Sequence, residues 1–300
     1  MIRQCFVDSR WHGRLSWYPV NHTGANPPNN SRTYTVAIIP ARFASTRLPG
    51  KALVKIAGKP MVCWVAERAL AARNVNRVIV ATDSEEIFRA VSSRGIEVAL
   101  TQRNHVSGTD RVAEVAVTIA DAGIIVNVQG DEPLISPETI ERAVDAMTAD
   151  LSSSTGGAGI VTTWEPIHSA ADVLNPDLVK VVLDDKGSAI YFSRLPVPYP
   201  RDSVNKHGSL EAALENEPEL LKTFRKHTGL YVYRRDVLLE FTKWPQSRLE
   251  RIEALEQLRA LEHGVKIKVI EACTPSIGVD TADDLETVRG LVEEAGARTS

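Results

Sequence analysis

No apolar run in the 300-residue chain approaches the roughly 18 residues that a membrane-spanning helix needs. Cysteine is scarce: Cys5, Cys63 and Cys273 lie far apart and form no C-x-x-C. A disulfide framework or zinc site is therefore not expected, and a reducing, cytoplasmic setting fits. Two phosphate-binding signatures are missing as well. G-x-x-x-x-G-K-[ST] is absent because only Gly50 precedes Lys51 and Ala52 follows it. No G-x-G-x-x-G follows the first strand-like run, which argues against a nicotinamide dehydrogenase. Residues 1–33 show neither helical nor strand period and no apolar core of a secretory signal, so a poorly ordered extension is expected there. The formal net charge of -3 gives no basic excess overall, and no nucleic acid or membrane partner is expected. With 43% hydrophobic and 24% charged residues the composition is that of an ordinary globular protein, long enough for one large α/β domain or two modest ones.

What is present is concentrated. TVAIIPARFASTRLPGK (35–51) joins a buried-strand pattern to a loop carrying Arg42, Arg47 and Lys51. Between Val36 and Ala66 there are five basic residues and no acidic one. A strand ending in a cationic loop that contains glycine, serine and threonine offers backbone donors, guanidinium forks and an ammonium to a polyphosphate. A solvated basic loop is the plainer reading of the same charge.

From Thr35 onward apolar runs at 35–40, 77–81, 96–100 and 124–129 alternate with helical stretches near 60–73, 84–94 and 109–121. That rhythm predicts an α/β fold of βαβ units on a parallel sheet, with ligands at the carboxyl ends of the strands. Arg42, Asp83 and Asp131 each follow such a run closely. After residue 150 the runs at 160–164, 179–183, 189–193 and 229–233 suggest a mixed sheet extension. A helix over 248–263, a strand over 265–270 and a closing helix from about 282 are expected to finish the chain. Residues 202–222, with Glu211, Glu215, Glu217 and Glu219, read as an acidic, solvent-facing connector.

In IIVNVQGDEP, Gly130 permits close backbone approach and Asp131 then presents a carboxylate at the strand end. Facing a polyphosphate, that carboxylate suits Mg²⁺; a turn-forming or capping aspartate is the alternative. VDTADDL around Asp280 reads by itself as a helix cap. A base-reading wall is sought in Ala81–Thr82–Asp83 and in Ser107–Gly108–Thr109–Asp110–Arg111, the latter also a good helix start.

IIPARFASTRLPGK, HVSGTDR, VNVQGDEP, LEQLR and GVDTADDL together resemble the 3-deoxy-manno-octulosonate (Kdo) cytidylyltransferases, in family order from about Thr35 to Val292. The resemblance implies a Rossmann-like, GT-A-like nucleotidyltransferase fold: a mostly parallel sheet flanked by helices, with a smaller mixed-sheet and dimerisation region. It implies a single domain over 34–296, divided into a nucleotide half (34–150) and a sugar and dimer half (151–296). The implied reaction moves a cytidylyl group from CTP to Kdo for lipopolysaccharide synthesis, with Mg²⁺ as cofactor and a homodimer as the working form. Another 2-keto sugar acid, such as amino-Kdo or sialic acid, and a non-catalytic nucleotide-binding regulator are the alternatives.

By the same resemblance Arg42, Ser45, Arg47 and Lys51 hold the triphosphate, with Lys51 and Arg47 counted among the catalytic residues. Asp280 joins Asp131 as the second metal ligand. Gln129, Arg194, His227, Tyr231, Glu256 and Gln257 are assigned to the sugar, with Arg201 as a second candidate for its carboxylate. Two departures from the family pattern are visible: Gln102–Arg103 in the loop after the third strand, and LPVPYPR (195–201).

Overall fold

The computed structural model describes residues 33–43, 48–151 and 157–299. The expected N-terminal extension therefore lies outside the described residues apart from Thr33, and so do Ser45 and Arg47.

β1 (Thr35–Ala41) leads to a 3₁₀ turn over Lys51–Leu53, a hairpin of β2 (Lys55–Ile56) and β3 (Lys59–Pro60), and α1 (Met61–Leu70). β4 (Arg77–Thr82), α2 (Glu85–Ser92), β5 (Glu97–Leu100), α3 (Gly108–Val117), β6 (Ile124–Asn127) and α4 (Pro137–Leu151) continue the alternation. The second half contributes β7 (Ile160–Pro166), α5 (Ala170–Leu174), β8 (Lys180–Leu183), β9 (Ala189–Ser193), α6 (Arg201–His207) and α7 (Leu210–Asn216). β10 (Arg225–Arg234), α8 (Arg235–Phe241), α9 (Arg248–Glu253), α10 (Gln257–Glu262), β11 (Ile267–Glu271) and α11 (Ala282–Thr299) close it.

Among the described residues nine strands form one sheet, with the order β11-β7-β10-β6-β1-β4-β5 and the β8–β9 pair branching from β10. β1 runs parallel to β4 and β6, β4 to β5, and β7 to β11. This is the mostly parallel, helix-flanked sheet that the alternation predicted. The reason is legible in β1, whose two faces are both apolar and both covered. Ala37, Ile39 and Ala41 pack with α1, α2 and α4 on one side. Val36 and Ile38 pack with α3, α8 and α10 on the other. Each fully buried isoleucine of this strand stabilises the fold by roughly 1.5–3 kcal/mol.

Three features differ from the sequence expectation. β10 is inserted antiparallel between β6 and β7, so the second half completes the central sheet as well as extending it. The stretch 202–222 is no bare connector, because α6, α7 and a 3₁₀ turn over Pro218–Thr223 fold there. Leu214 and Phe224 close a small apolar cluster with Ile167 and Val173. The helix expected over 248–263 is two helices, broken where Ala254 takes the left-handed conformation at φ 52°.

Candidate active site

At the carboxyl ends of β1 and β6 an open cleft is lined by Arg42, Lys51, His105, Ser107, Gly108, Arg111, Gln129, Asp131 and Asp280, among others. Gly50 sits at φ 66°, a left-handed conformation that glycine adopts without strain, and turns the β1 loop into the short helix that starts at Lys51. Across the cleft, Gly130 lies so close to β1 that a Cβ there would stand 2.8 Å from the Pro40 carbonyl oxygen. The missing side chain lets β6 deliver Asp131 beside the β1 loop.

The two acids predicted from distant positions meet. Lys51 Nζ donates to Asp131 Oδ2 at 2.6 Å and to Asp280 Oδ1 at 2.7 Å. The backbone enforces this, because the Val279 N–H donates to the Asp131 carbonyl at 2.9 Å. The capping alternative for Asp280 is also resolved. Thr281 Oγ1 accepts from Asp284 N at 3.2 Å, and the Asp284 carboxylate accepts from the Thr281 N–H at 2.8 Å, so Thr281 caps α11 and the Asp280 carboxylate faces Lys51. The donor chemistry fits a hard divalent cation, since two carboxylates converge on one cationic point and magnesium takes one or two protein oxygens plus phosphate and water. No group of three or more metal-binding side chains occurs among the described residues, so such an ion would need oxygens from substrate or water.

The base-side candidates divide. Ser107 caps α3 in a capping box with Asp110, and Ser107, Gly108 and Arg111 line the cleft. Thr82 is fully buried at the end of β4, where its carbonyl accepts the Thr101 N–H at 2.8 Å. Asp83 is engaged by Arg111 Nη2 at 2.7 Å, and Arg111 also donates to Thr101 Oγ1 and the Gln102 carbonyl. Thr82 and Asp83 do not line the cleft; with the buried Arg111 they brace the loops that shape it.

The sugar-side candidates are linked to this wall by side-chain hydrogen bonds. Gln129 Nε2 donates to the Gly229 carbonyl at 3.2 Å and the Asn127 amide oxygen at 3.4 Å. Glu256 accepts from Thr109 Oγ1 at 2.9 Å and Ser107 Oγ at 3.0 Å. Burial raises the Glu256 carboxyl above the usual range, against those two hydroxyls and Arg259, which pull it down. Gln257 is buried at the start of α10.

His227 lies between Phe192 and Tyr231, with ring centroids at 4.9 and 5.4 Å. Thr162 Oγ1 donates its proton to the Leu230 carbonyl at 2.7 Å, so it accepts from His227 Nε2 at 2.9 Å, and burial pushes the imidazole down to about 3. Burial likewise raises the Tyr231 phenol. Arg194 turns to backbone: Nε donates to the Glu253 carbonyl at 2.7 Å and the terminal nitrogens to Pro176 and Ala254 at 3.1 and 3.4 Å. Arg201 opens α6 and is exposed.

Two groups escaped the sequence reading. Glu132 is buried beside Asp131, and burial, then the Asp131 charge, pushes its carboxyl up to about 7. Nothing in GDEP distinguishes it from a surface glutamate. His105 lines the cleft and opens the HVSGTDR motif, so its position two residues before a helix cap was the available signal.

A profile of the cytidylyltransferase family matches residues 36–267. The 3-deoxy-manno-octulosonate cytidylyltransferase of Geobacter sulfurreducens is 52% identical over 252 residues, which is 84% of this chain and 96% of that protein. The enzyme of the same name from Yersinia pseudotuberculosis is 46% identical over 260 residues, 86% of this chain and 98% of its own. A solved CMP:2-keto-3-deoxy-manno-octonic acid synthetase complexed with CTP superposes with a TM-score of 0.77 at 40% identity, over 88% of this chain and 100% of that one. The 4-diphosphocytidyl-2C-methyl-D-erythritol synthase of Anaerococcus prevotii, 10% identical with a TM-score of 0.55, shares the fold alone. The paired acids on Lys51, the cationic strand-end loop and this agreement along most of the chain lead to one conclusion: the protein belongs to the 3-deoxy-manno-octulosonate cytidylyltransferase family.

Proposed function

We propose that this chain transfers the cytidylyl group of CTP to 3-deoxy-D-manno-octulosonate, releasing pyrophosphate and forming CMP-Kdo. The observation that carries the reading is the convergence of Asp131 and Asp280 on Lys51 in one cleft. Arg42 and Lys51 bind the triphosphate; Lys51 leaves the carboxylates as phosphate oxygens arrive and holds negative charge on the α-phosphate and departing pyrophosphate. The sugar's anomeric hydroxyl attacks the α-phosphorus in line. A C–O–P bond forms, the bond to the β-phosphate bridging oxygen breaks, and the hydroxyl proton passes to solvent. Asp131 and Asp280 would hold Mg²⁺, which when bound neutralises phosphate charge. Gln129, Glu256 and Tyr231 orient the sugar, and Ser107 and Gly108 wall the nucleotide.

We read residues 34–296 as one catalytic unit, because β10 and β11 complete the sheet begun by β1. A homodimer is proposed through the β8–β9 arm and the segment after it, where Ile190, Leu195 and Tyr199 are exposed. A cytoplasmic setting fits the free Cys63 and Cys273; among the described residues no helix is long and apolar enough to cross a membrane. Pyrophosphate release from CTP and Mg²⁺ with a panel of 2-keto sugar acids tests the reading. Release with Kdo is expected; release only with another acid would change the substrate, and none with any acid would favour a nucleotide-binding regulator.

A further inference from the structure

We propose that His105 is a further nucleotide-binding residue, held in position by Glu114 of α3 and acting on the nucleoside triphosphate rather than on the sugar acid. The proposal rests on the cytidylyl-transfer reading and adds to it a side chain outside the cationic loop and the paired acids. His105 lines the cleft together with Arg42, Ser107 and Gly108. Its Nε2 donates to Glu114 Oε2, and the same carboxylate oxygen accepts the Gln102 N–H at 3.1 Å. One carboxylate on the second turn of α3 thus fixes both the imidazole and the path of the loop that carries it. The two side chains are mostly buried, at 15% and 21% exposure, so the ring has little freedom to turn away.

A ring nitrogen committed to a carboxylate leaves the other to meet a ligand, the arrangement by which proteins orient an imidazole toward a bound group. With Nε2 taken, Nδ1 of His105 remains. The same cleft wall holds the cation Arg42 and the start of α3, both suited to a nucleotide. Of the sugar-assigned residues Gln129 lines this cleft, at the end of β6, whereas His227, Tyr231, Arg194 and Gln257 do not.

A loop fastener with no ligand contact would use the same pair, and the test separates the two. CTP binding to the full chain with Mg²⁺ and no sugar acid is measured by calorimetry, alongside KM for each substrate and the melting temperature. His105→Ala is expected to raise both Kd and KM for CTP about tenfold, the scale of one hydrogen bond to a charged group. KM for the sugar acid should stay within about twofold, and the melting temperature within a few degrees. Glu114→Ala should give a smaller rise. The double variant should be no worse than His105→Ala, because Glu114 acts through the ring. An unchanged Kd for CTP in His105→Ala, with wild type binding and turning over normally, overturns this proposal alone. A joint rise of both KM values with a lowered melting temperature overturns it too, as a fastener would behave that way. Wild-type protein that binds no CTP takes down the cytidylyl-transfer reading with it.

Discussion

Lys51 is held by two carboxylates whose side chains are 34% and 43% exposed, so water and salt weaken both ion pairs and the ammonium can transfer to a phosphate. That availability gives the pair of acids a use beyond stability. Asp131→Asn keeps the volume and removes the charge; turnover should fall at least about a hundredfold while the melting temperature stays within a few degrees. A near-normal rate at saturating Mg²⁺ would remove Asp131 from the mechanism. His227 offers a pH test with a definite sign. In the folded protein it takes a proton only near pH 3, whereas in the unfolded chain it does so near 6.5. Between those values the unfolded state holds more protons, so stability falls as pH falls, by up to about 1.4 kcal/mol per pH unit. Denaturant midpoints of wild type and His227→Gln between pH 4 and 7 should diverge with that sign, the variant having the flatter profile.

Among the elements, the break between α9 and α10 carries the clearest consequence. Ala254 in a left-handed conformation is strained by about 1–2 kcal/mol, against the roughly 0.5–1 kcal/mol of extra unfolded-chain entropy that glycine brings. Ala254→Gly should therefore stabilise the protein by up to about 1 kcal/mol, seen as a rise in denaturant midpoint at unchanged slope; a loss of stability would show that the Ala254 methyl packs usefully. The break was hidden in the sequence because LERIEALEQLRALE contains no glycine or proline and keeps a helical period. What imposes it is tertiary. Arg194 draws the Glu253 and Ala254 carbonyls, while Glu256 reaches across to Ser107 and Thr109.

For the whole molecule, the β8–β9 arm and the two short helices after it stand beside a sheet that is otherwise covered on both faces. Ile190, Leu195 and Tyr199 are about 60% exposed or more. These three exposed apolar side chains, on β9 and the segment that follows it, are the basis of the proposed dimer. Light scattering should give twice the 32.9 kDa of one chain, and Ile190→Glu with Leu195→Glu should halve that mass. A wild-type monomer at micromolar concentration would remove the dimer from the reading.

The alternation of β1 through α4 was legible because fully apolar strands and periodic helices follow from local chemistry alone. The same holds for the cationic loop, for the capping box at Ser107 and for the glycine that lets Asp131 approach β1. Three things needed the folded chain. β10 runs antiparallel through the middle of the sheet, a direction its sequence does not mark, and only Leu230, Val232 and Tyr233 near its end are buried. The Asp280 side chain lies beside Asp131 on Lys51 because a backbone bond from Val279 to Asp131 brings two segments together across 148 residues of chain. His105 is a cleft residue because Glu114, two helical turns along α3, holds its ring. Each of these depends on contacts between remote segments, which local periodicity does not encode.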